Sequence, residues 1–191
     1  MNNLAEAIHN SGIVRWYPMR IFHSSIKRQH DLQVELDKEE MVKETYIPQK
    51  LIDAETEKYA PALVNYIFVR IAKDGLRELK GMPRFDHLRY VMKAECDDKF
   101  NTVYEIAHIT DQEMDNFRQV VNNANDQILF VQNNEFAMRP GQKVRITDGV
   151  FKNTEGTVKS IKKHLCVIVT LGSVMAVAIT GIHRKFLQPI D

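Results

Sequence analysis

The stretch RPGQKVRITDGVFKNTEGTV, residues 139–158, constrains the fold more than any other feature of this chain. Valine and isoleucine alternate there with lysine and arginine, which is the pattern of strands that bury one face. Asp148-Gly149 and Glu155-Gly156 mark turns, because glycine adopts the backbone conformations that tight turns need. The stretch therefore predicts two short strands joined by a tight loop.

The rest of the C-terminal quarter continues this β pattern. Short runs rich in β-branched residues are separated by Gly-containing turns, and they lie at 144–146, 156–161, 165–171 and 174–179. Four or five such strands in about 50 residues favour a small closed barrel, since closure removes exposed sheet edges. We predict a β-barrel domain over 139–191.

The first 138 residues have a different character. Strand-like and helix-like runs alternate there, and Thr110-Asp111-Gln112-Glu113 forms a capping box ahead of an apolar face at Met114, Phe117 and Val121. This mixture predicts an α+β domain over 13–121 with an antiparallel sheet and flanking helices. The predicted strands are 13–22, 44–48, 64–72 and 87–92, and the other predicted helices are 26–40 and 74–79. The run 64–72 is the most hydrophobic in this half and is predicted to be a central strand. Pro18 in the first strand argues for a bulge or an outward-facing amide, and Ser24-Ser25 can cap the helix that follows.

The remaining segments are predicted to connect or precede the two domains. Residues 1–12 are interpreted as a flexible tail. Asn122-Asn123-Ala124-Asn125-Asp126 is typical of a break, so 122–138 is interpreted as a linker that contains one short strand, ILFVQ.

Charge divides along the same boundary. Residues 139–191 hold nine Lys or Arg against three Asp or Glu, while residues 1–138 hold 17 against 22. A basic end on an acidic body suggests two units with different partners. No apolar run approaches the roughly 20 residues that span a bilayer, and the N-terminus lacks the pattern of a secretion signal, so we expect a cytoplasmic protein with no membrane partner.

Candidate catalytic and metal-binding groups are few. His164 and Cys166 share one strand face and could suggest a base and a nucleophile, but Cys166 lies in the apolar run LCVIVTL. A buried structural thiol is the better interpretation. Cys96 and Cys166 have no metal-ligand spacing, and no glycine loop for phosphate is present. The sequence therefore predicts a protein that is not an enzyme and has no cofactor or metal.

Residues 139–158 resemble a KOW motif, the strand–loop–strand unit of bacterial NusG proteins and of some ribosomal proteins. The matching positions are Gly141, Val144, Asp148, Gly149, Phe151 and Gly156. The first domain resembles the N-terminal domain of NusG-type transcription elongation factors, and the resemblance covers roughly 13–121 and 139–191. The segments that carry it are Trp16-Tyr17, Tyr46-Ile47-Pro48, Asn65-Tyr66-Ile67-Phe68-Val69, Met82-Pro83-Arg84-Phe85 and Ile109 to Met114.

Within that family the chain is similar to specialised paralogues. Val64-Asn65-Tyr66 stands where general NusG proteins usually have Pro-Gly-Tyr, and an Asn-Tyr pair followed by Phe-Val is more similar to RfaH. The ending, with Met175 to Ala178 and then Phe186-Leu187, is similar to the UpxY antiterminators linked to capsule operons in Bacteroides-type bacteria. The resemblance implies transcription antitermination at selected operons.

The resemblance also implies an RNA polymerase site. Family members receive the clamp helices of the largest polymerase subunit in an apolar groove, and the matching positions here are Leu63, Tyr66 and Phe68. From alternation alone, 66 and 68 share one strand face and 67 and 69 share the other, and either face could be the core. Simple burial of all these residues is the competing interpretation.

A second candidate surface is basic and comprises Arg20, His23, Lys27 and Arg28. Cations near a helix N-terminus could hold phosphates of non-template DNA or nascent RNA, which would associate the protein with the nucleoid through polymerase. A solvated helix face is the alternative explanation.

The KOW domain of family members docks the termination factor Rho or a ribosomal protein. Other members commonly present an aromatic residue before the last strand, where this chain has Leu171-Gly172-Ser173. Two further alternatives stay open: a general NusG-type elongation factor, and a KOW module that binds RNA or ribosomes directly.

Overall fold

The computed structural model describes residues 12–22, 25–53, 55–63, 65–97, 100–123, 128–132, 141–161, 164–172 and 175–190. The chain forms two compact units, one from Met1–Pro48 and Ala60–Asp111 and the other from Gln49–Tyr59 and Gln112–Asp191. The predicted tail, apart from Gly12, lies outside the described residues, as does the end of the predicted linker from 133 onward.

Helices and antiparallel strands together make an α+β protein, as predicted. The helices are α1 (Ile26–Leu36), α2 (Lys73–Gly81) and α3 (Asp111–Asn122). The strands are β1 (Val14–Ile21), β2 (Val42–Tyr46), β3 (Gln49–Asp53), β4 (Lys58–Pro61), β5 (Tyr66–Ala72), β6 (Leu88–Tyr90), β7 (Met92–Cys96), β8 (Thr102–Ile106), β9 (Ile128–Gln132), β10 (Lys143–Ile146), β11 (Glu155–Ile161), β12 (His164–Leu171), β13 (Met175–Thr180) and β14 (Leu187–Pro189).

The first unit is built on a four-stranded sheet with the order β2-β5-β1-β6. β5 is central, as its apolar sequence predicts. Pro18 lies in the middle of β1, where it cannot donate to a ladder. On the side of β1 toward β6, pairing covers only Met19 to Ile21, and Trp16 bridges to Ile109 instead. Pro18 therefore falls in the gap between these two contacts. Its nitrogen faces away from the paired strand, so the missing N–H interrupts no ladder, as the sequence allows.

One face of this sheet carries the core of the first unit. Ile67, Val69 and Ile71 of β5 are buried together with alternate residues of β1 and the apolar faces of α1 and α2. Each such side chain contributes roughly 1.5–3 kcal/mol on burial. Tyr66 and Phe68 therefore lie on the opposite sheet face, which settles the choice that alternation left open.

Helix α1 differs from its prediction in two respects. Its buried positions are Leu32, Leu36 and Gln29, whereas Ile26 is 55% exposed. It ends at Leu36 and not near residue 40, because the Leu36 carbonyl accepts the amide of Glu39 in a turn that leads into β2. The Ser25 hydroxyl accepts the Arg28 amide at 3.2 Å, so Ser25 is the N-cap.

Two hairpins, β3–β4 and β7–β8, were not predicted. Both strands of β7–β8 are mostly exposed, so neither shows the apolar alternation by which strands are recognised. In β3–β4 the Asp53 carboxylate accepts the amides of Glu55 and Thr56, which closes the connecting turn. The hairpins are therefore specified by turn chemistry and pairing and not by a buried face.

The second unit contains a six-stranded antiparallel sheet with the order β14-β10-β11-β12-β13-β9. The four strands predicted between 144 and 179 are all present, and so is the short strand predicted within 122–138. That strand, β9, pairs with β13 from Met175↔Gln132 to Ile179↔Ile128. It is therefore part of the sheet. The closed barrel stays a prediction.

Helix α3 is present with Met114, Phe117 and Val121 buried, as its apolar face predicts. Beyond Asp111 it groups with the second unit, in which the Gln119 side-chain amide donates to the Lys152 carbonyl at 2.6 Å. The compact units thus divide at Asp111, whereas the sequence places this helix in the first domain. No helix in the described part of the chain is long and apolar enough to cross a bilayer.

Candidate partner-binding surfaces

A buried glutamine positions the start of β5. Gln29 of α1 is fully buried, and its Nε2 donates to the carbonyls of Leu63 at 2.9 Å and Tyr66 at 2.7 Å. A buried amide that satisfies two carbonyls resists displacement, because breaking either bond would leave a polar group unpaired. The side chains of Leu63 and Tyr66 remain partly exposed. The structure thus presents two apolar side chains on a firmly held segment.

Phe68 behaves differently from its two predicted companions. It lies on the same strand face as Tyr66, but it is fully buried and its ring centroid is 6.3 Å from that of Tyr46. The three predicted polymerase-binding residues are therefore not equivalent here. Leu63 and Tyr66 have exposed surface that a partner could contact, whereas Phe68 has no exposed surface.

The basic surface centres on a pair of arginines. Arg20 of β1 is exposed and lies directly opposite Arg89 of β6. Arg89 donates to the Asp86 and Leu88 carbonyls, and its guanidinium lies 5.8 Å from the ring centre of Phe22, which is 53% exposed. Like charges in directly opposed positions destabilise a sheet, so this pairing costs stability and suits an anionic partner.

The remaining predicted cations lie at the start of α1. Lys27 and Arg28 are both exposed there. Burial lowers the pKa of His87, and Arg28 lowers it further, so Arg28 lies close to the turn that precedes Arg89. The structure therefore brings Arg20 and Arg28 to the turn that contains His87 and precedes Arg89. Lys27 is exposed on the same helix as Arg28. His23 lies outside the described residues.

Sequence reasoning missed Arg89 and Phe22. The run 87–92 was predicted as a strand, so Arg89 was already placed on a sheet. Its position opposite Arg20 depends on the β1–β6 register, which no local pattern reveals. Only the exposed aromatic Phe22, between the first strand and the capping serines, could have attracted attention.

The KOW-like positions shape the loop between β10 and β11. Val144 and Phe151 are buried, Asp148 is exposed, and Gly149 has a φ of +82° that disfavours any side chain. A Cβ at Gly156 would lie 2.6 Å from the Ile168 carbonyl oxygen, and one at Gly141 would clash with the carbonyl oxygen of Val158. These residues therefore build the strand–loop–strand unit.

A cleft of about 290 Å³ opens on the second unit. Its lining is mostly apolar, with Gln142 and Arg184 as polar members, and includes Val144, Val158, Leu165, Leu187 and Pro189. Cys166 is buried against Ile168, Ala176 and Ala178, as expected for a structural thiol. Among the described residues, no group of three or more His, Cys, Asp or Glu is placed to hold a metal ion.

Comparison with known proteins gives limited results. No protein-family model matches the chain. No curated protein matches it either. Among solved structures, the chain is similar to one of NusG from Thermotoga maritima, described as a study of domain interaction in that protein. The similarity covers 94% of this chain and 98% of that chain, with 17% sequence identity and a TM-score of 0.43.

Proposed function

We propose that this chain is a NusG-type transcription elongation or antitermination factor that binds RNA polymerase through its first unit. The observation that supports this proposal most directly is the segment held by Gln29, which presents Leu63 and Tyr66 partly exposed. Recognition of a partner helix needs apolar anchors on a rigid scaffold. The clamp helices of the largest polymerase subunit are the proposed partner, on the strength of the motif resemblance.

Phe68 takes a supporting role in this proposal. Because it is fully buried beside Tyr46, it fixes the strand face from which Tyr66 extends. A factor bound there would stabilise one polymerase conformation over another and so suppress pausing or termination. Action at selected operons of the capsule type follows from the similarity to RfaH and UpxY and belongs to the same proposal, as does association with the nucleoid.

The basic surface is the proposed nucleic-acid contact. Arg20, Arg28 and Arg89 bring cations to one turn, and Phe22 adds an exposed aromatic ring. Cationic side chains beside an exposed ring are the combination that holds the backbone and stacks a base of single-stranded nucleic acid. We assign this surface, with Lys27 and the predicted His23, to exposed non-template DNA or nascent RNA.

The second unit is proposed to be a KOW barrel that docks a further protein. Its apolar cleft of about 290 Å³ is the surface available for such a partner, and Rho or a ribosomal protein is the partner that the resemblance implies.

The polymerase proposal is tested by binding of purified bacterial core RNA polymerase to immobilised full-length protein. We expect the Leu63→Ala/Tyr66→Ala double variant to bind at least about tenfold more weakly than wild type, as loss of two anchor residues does at an interface. A matched control is Leu51→Ala/Tyr59→Ala, which removes the same residue types at positions 46% and 61% exposed on the β3–β4 hairpin. Circular dichroism establishes that both variants remain folded.

Equal weakening by both double variants would show that Leu63 and Tyr66 are not the specific binding site. Binding of polymerase by the wild type would still support the proposed function. Absence of polymerase binding by the wild type, together with retention of ribosomes or RNA, would instead favour the alternative of a KOW module that acts on RNA. Recruitment to all transcribed genes in cells would favour a general NusG-type factor.

A further inference from the structure

A small polar cavity lies in the first unit, at the end of β1 away from Arg20. Its volume is about 130 Å³, and its lining comprises Arg15, Tyr17, Lys73, Glu105, Ile106 and His108. A cavity of that volume can hold several water molecules, or one tetrahedral oxyanion with water beside it. Arg15 and Arg20 are separated by roughly 17 Å along an extended strand. The cavity is therefore distinct from both proposed partner surfaces.

Positive charge exceeds negative charge in this cavity. Two cations, Arg15 and Lys73, line it against a single carboxylate, Glu105. Lys73 is also the first residue of α2, where unpaired backbone amides add partial positive charge. Both cations are partly shielded from solvent. A cavity with this balance suits a small anion.

Tyr17 supplies a neutral donor to the same space. The residue is only 3% exposed, and it lines the cavity. Burial raises the pKa of Tyr17, so the phenol keeps its proton at physiological pH. A protonated phenol that lines the cavity can donate a hydrogen bond to an oxyanion held there.

The protonation state of His108 follows from its neighbours. Arg15 Nη1 lies 3.0 Å from His108 Nε2. Because a guanidinium has only donors, Nε2 must be the acceptor, so its proton resides on Nδ1 and the ring is neutral. A backbone hydrogen bond with Ile106 accompanies this arrangement.

The charges around His108 explain why it is neutral. Burial lowers its pKa, and Arg15 of β1 and Lys93 of β7 lower it further, while Glu105 of β8 opposes them. Lys73 of α2 faces the same cavity and adds another cation. A dianion bound in the cavity would add negative charge beside Nε2 and so favour the protonated ring.

We propose that the cavity binds one phosphate group, either free phosphate or the terminal phosphate of a small phosphomonoester, and that binding takes up one proton at His108. A phosphate oxygen replaces Nε2 as the acceptor for Arg15. Nε2 then accepts a proton from solvent and donates to a phosphate oxygen. Tyr17 and Lys73 complete the donor set. None of the residues assigned to polymerase or nucleic acid takes part, so this inference does not depend on the proposed function.

The test uses the full-length protein and isothermal titration with sulfate and with inorganic phosphate. Sulfate stays a dianion across the pH range, so its affinity reports on the protein alone. We expect saturable binding at one site, with sulfate affinity falling about tenfold per pH unit above neutrality because one proton accompanies the anion. In His108→Gln this pH dependence should disappear. The ¹⁵N chemical shifts of the His108 ring should move to those of the doubly protonated form when the anion binds.

Three single variants separate a built site from general charge screening. Tyr17→Phe keeps the ring and its packing, and we expect about threefold weaker binding; Lys73→Gln should weaken binding about tenfold. Lys43→Gln, an exposed lysine of β2 in the same unit, is the matched control and should bind as wild type does. Equal effects of Lys73→Gln and Lys43→Gln would overturn the proposal, as would a sulfate affinity that does not depend on pH. The absence of saturable binding of sulfate, phosphate and adenosine monophosphate would overturn it as well.

The source of the phosphate is decided by two further titrations, with adenosine monophosphate and with adenosine, compared with that of inorganic phosphate. Binding of the monophosphate in preference to inorganic phosphate identifies a phosphomonoester ligand. Equal binding of the two identifies the phosphate group alone as the ligand. Binding of adenosine as tight as that of the monophosphate would contradict a phosphate site.

Discussion

At the scale of single residues, the position of a residue in the fold decides where it is buried more than its hydropathy does. Ile67 and Phe68 are adjacent, apolar and fully buried, yet Ile67 belongs to the core beneath α1 and α2 and Phe68 to the opposite face. Gln29 is polar, yet it takes a buried position of α1 while Ile26 is exposed. Two hydrogen bonds to strand carbonyls explain why Gln29 is buried, because they satisfy the side-chain amide nitrogen, which would otherwise be buried at a cost in free energy.

The close approach of strands at Gly156 gives a residue-scale prediction. Gly156→Ala places a Cβ 2.6 Å from the Ile168 carbonyl oxygen, so β11 and β12 must separate locally. We expect the second unit to lose about 1–3 kcal/mol of stability, the usual cost of overpacking. Urea denaturation measures the loss.

The matched control for this prediction is Gly81→Ala. A Cβ at Gly81 has no atom of the described structure within 4 Å, and the residue ends α2. Alanine favours a helix more than glycine does, so the variant should be neutral or slightly stabilising. Equal loss in both variants would contradict the steric explanation.

At the scale of elements, the apolar pattern predicted the strands that bury a face. β1, β5 and β10 to β13 all carry such a pattern, and the alternation in β10 places Val144 and Ile146 inside with Lys143 and Arg145 outside. The β3–β4 and β7–β8 hairpins have mostly exposed strands, and they were missed for that reason. The three-residue β14 was missed because it is too short to show a period.

The pairing of β9 with β13 predicts that the segment before the KOW-like motif stabilises the second sheet. Without β9, β13 becomes an edge strand although its first five residues are buried. We expect a fragment of residues 125–191 to be more stable to urea than a fragment of 139–191 by about 2–5 kcal/mol, at roughly 1 kcal/mol per backbone hydrogen bond.

A third fragment controls for chain length in that experiment. It keeps residues 125–191 but replaces Ile128–Gln132 with glycine and serine, and it should behave like the shorter fragment. If all three fragments unfold at the same urea concentration, β9 does not contribute to the stability of the sheet.

At the scale of the whole molecule, the two compact units carry different kinds of surface. The first unit contains the segment held by Gln29, the arginine pair and the small polar cavity, and the second contains a basic sheet with an apolar cleft. This separation fits a protein in which one unit binds the transcription machinery and the other recruits a further partner, as proposed.

Overall stability should fall in mild acid because of His87. Burial first, and then Arg28, lower the pKa of His87 below its ordinary value of 6.5, while Asp86 and Glu35 oppose the shift. The unfolded chain therefore binds this proton more readily than the folded chain. The contribution of His87 to stability is complete above pH 6.5 and decreases as the pH falls toward the folded-state pKa.

Thermal melting of wild type and His87→Gln between about pH 5.5 and 8 measures this contribution. The melting temperature of the wild type should fall more than that of the variant on acidification, because glutamine does not titrate. Parallel pH dependence of the two proteins would show that His87 contributes nothing to the acid sensitivity.

The sequence by itself determined the α+β class, the short strands of the C-terminal quarter, the central position of β5 and the residues of the KOW-like loop. Each depends on local alternation or on turn chemistry, which neighbouring residues encode. Only the tertiary structure decided that Phe68 is buried, that Arg89 faces Arg20, that β9 joins β13, and that Arg15, Tyr17, Lys73 and His108 share one cavity. These relations join residues far apart in the chain, and strand register and packing, which set them, leave no local pattern in the sequence.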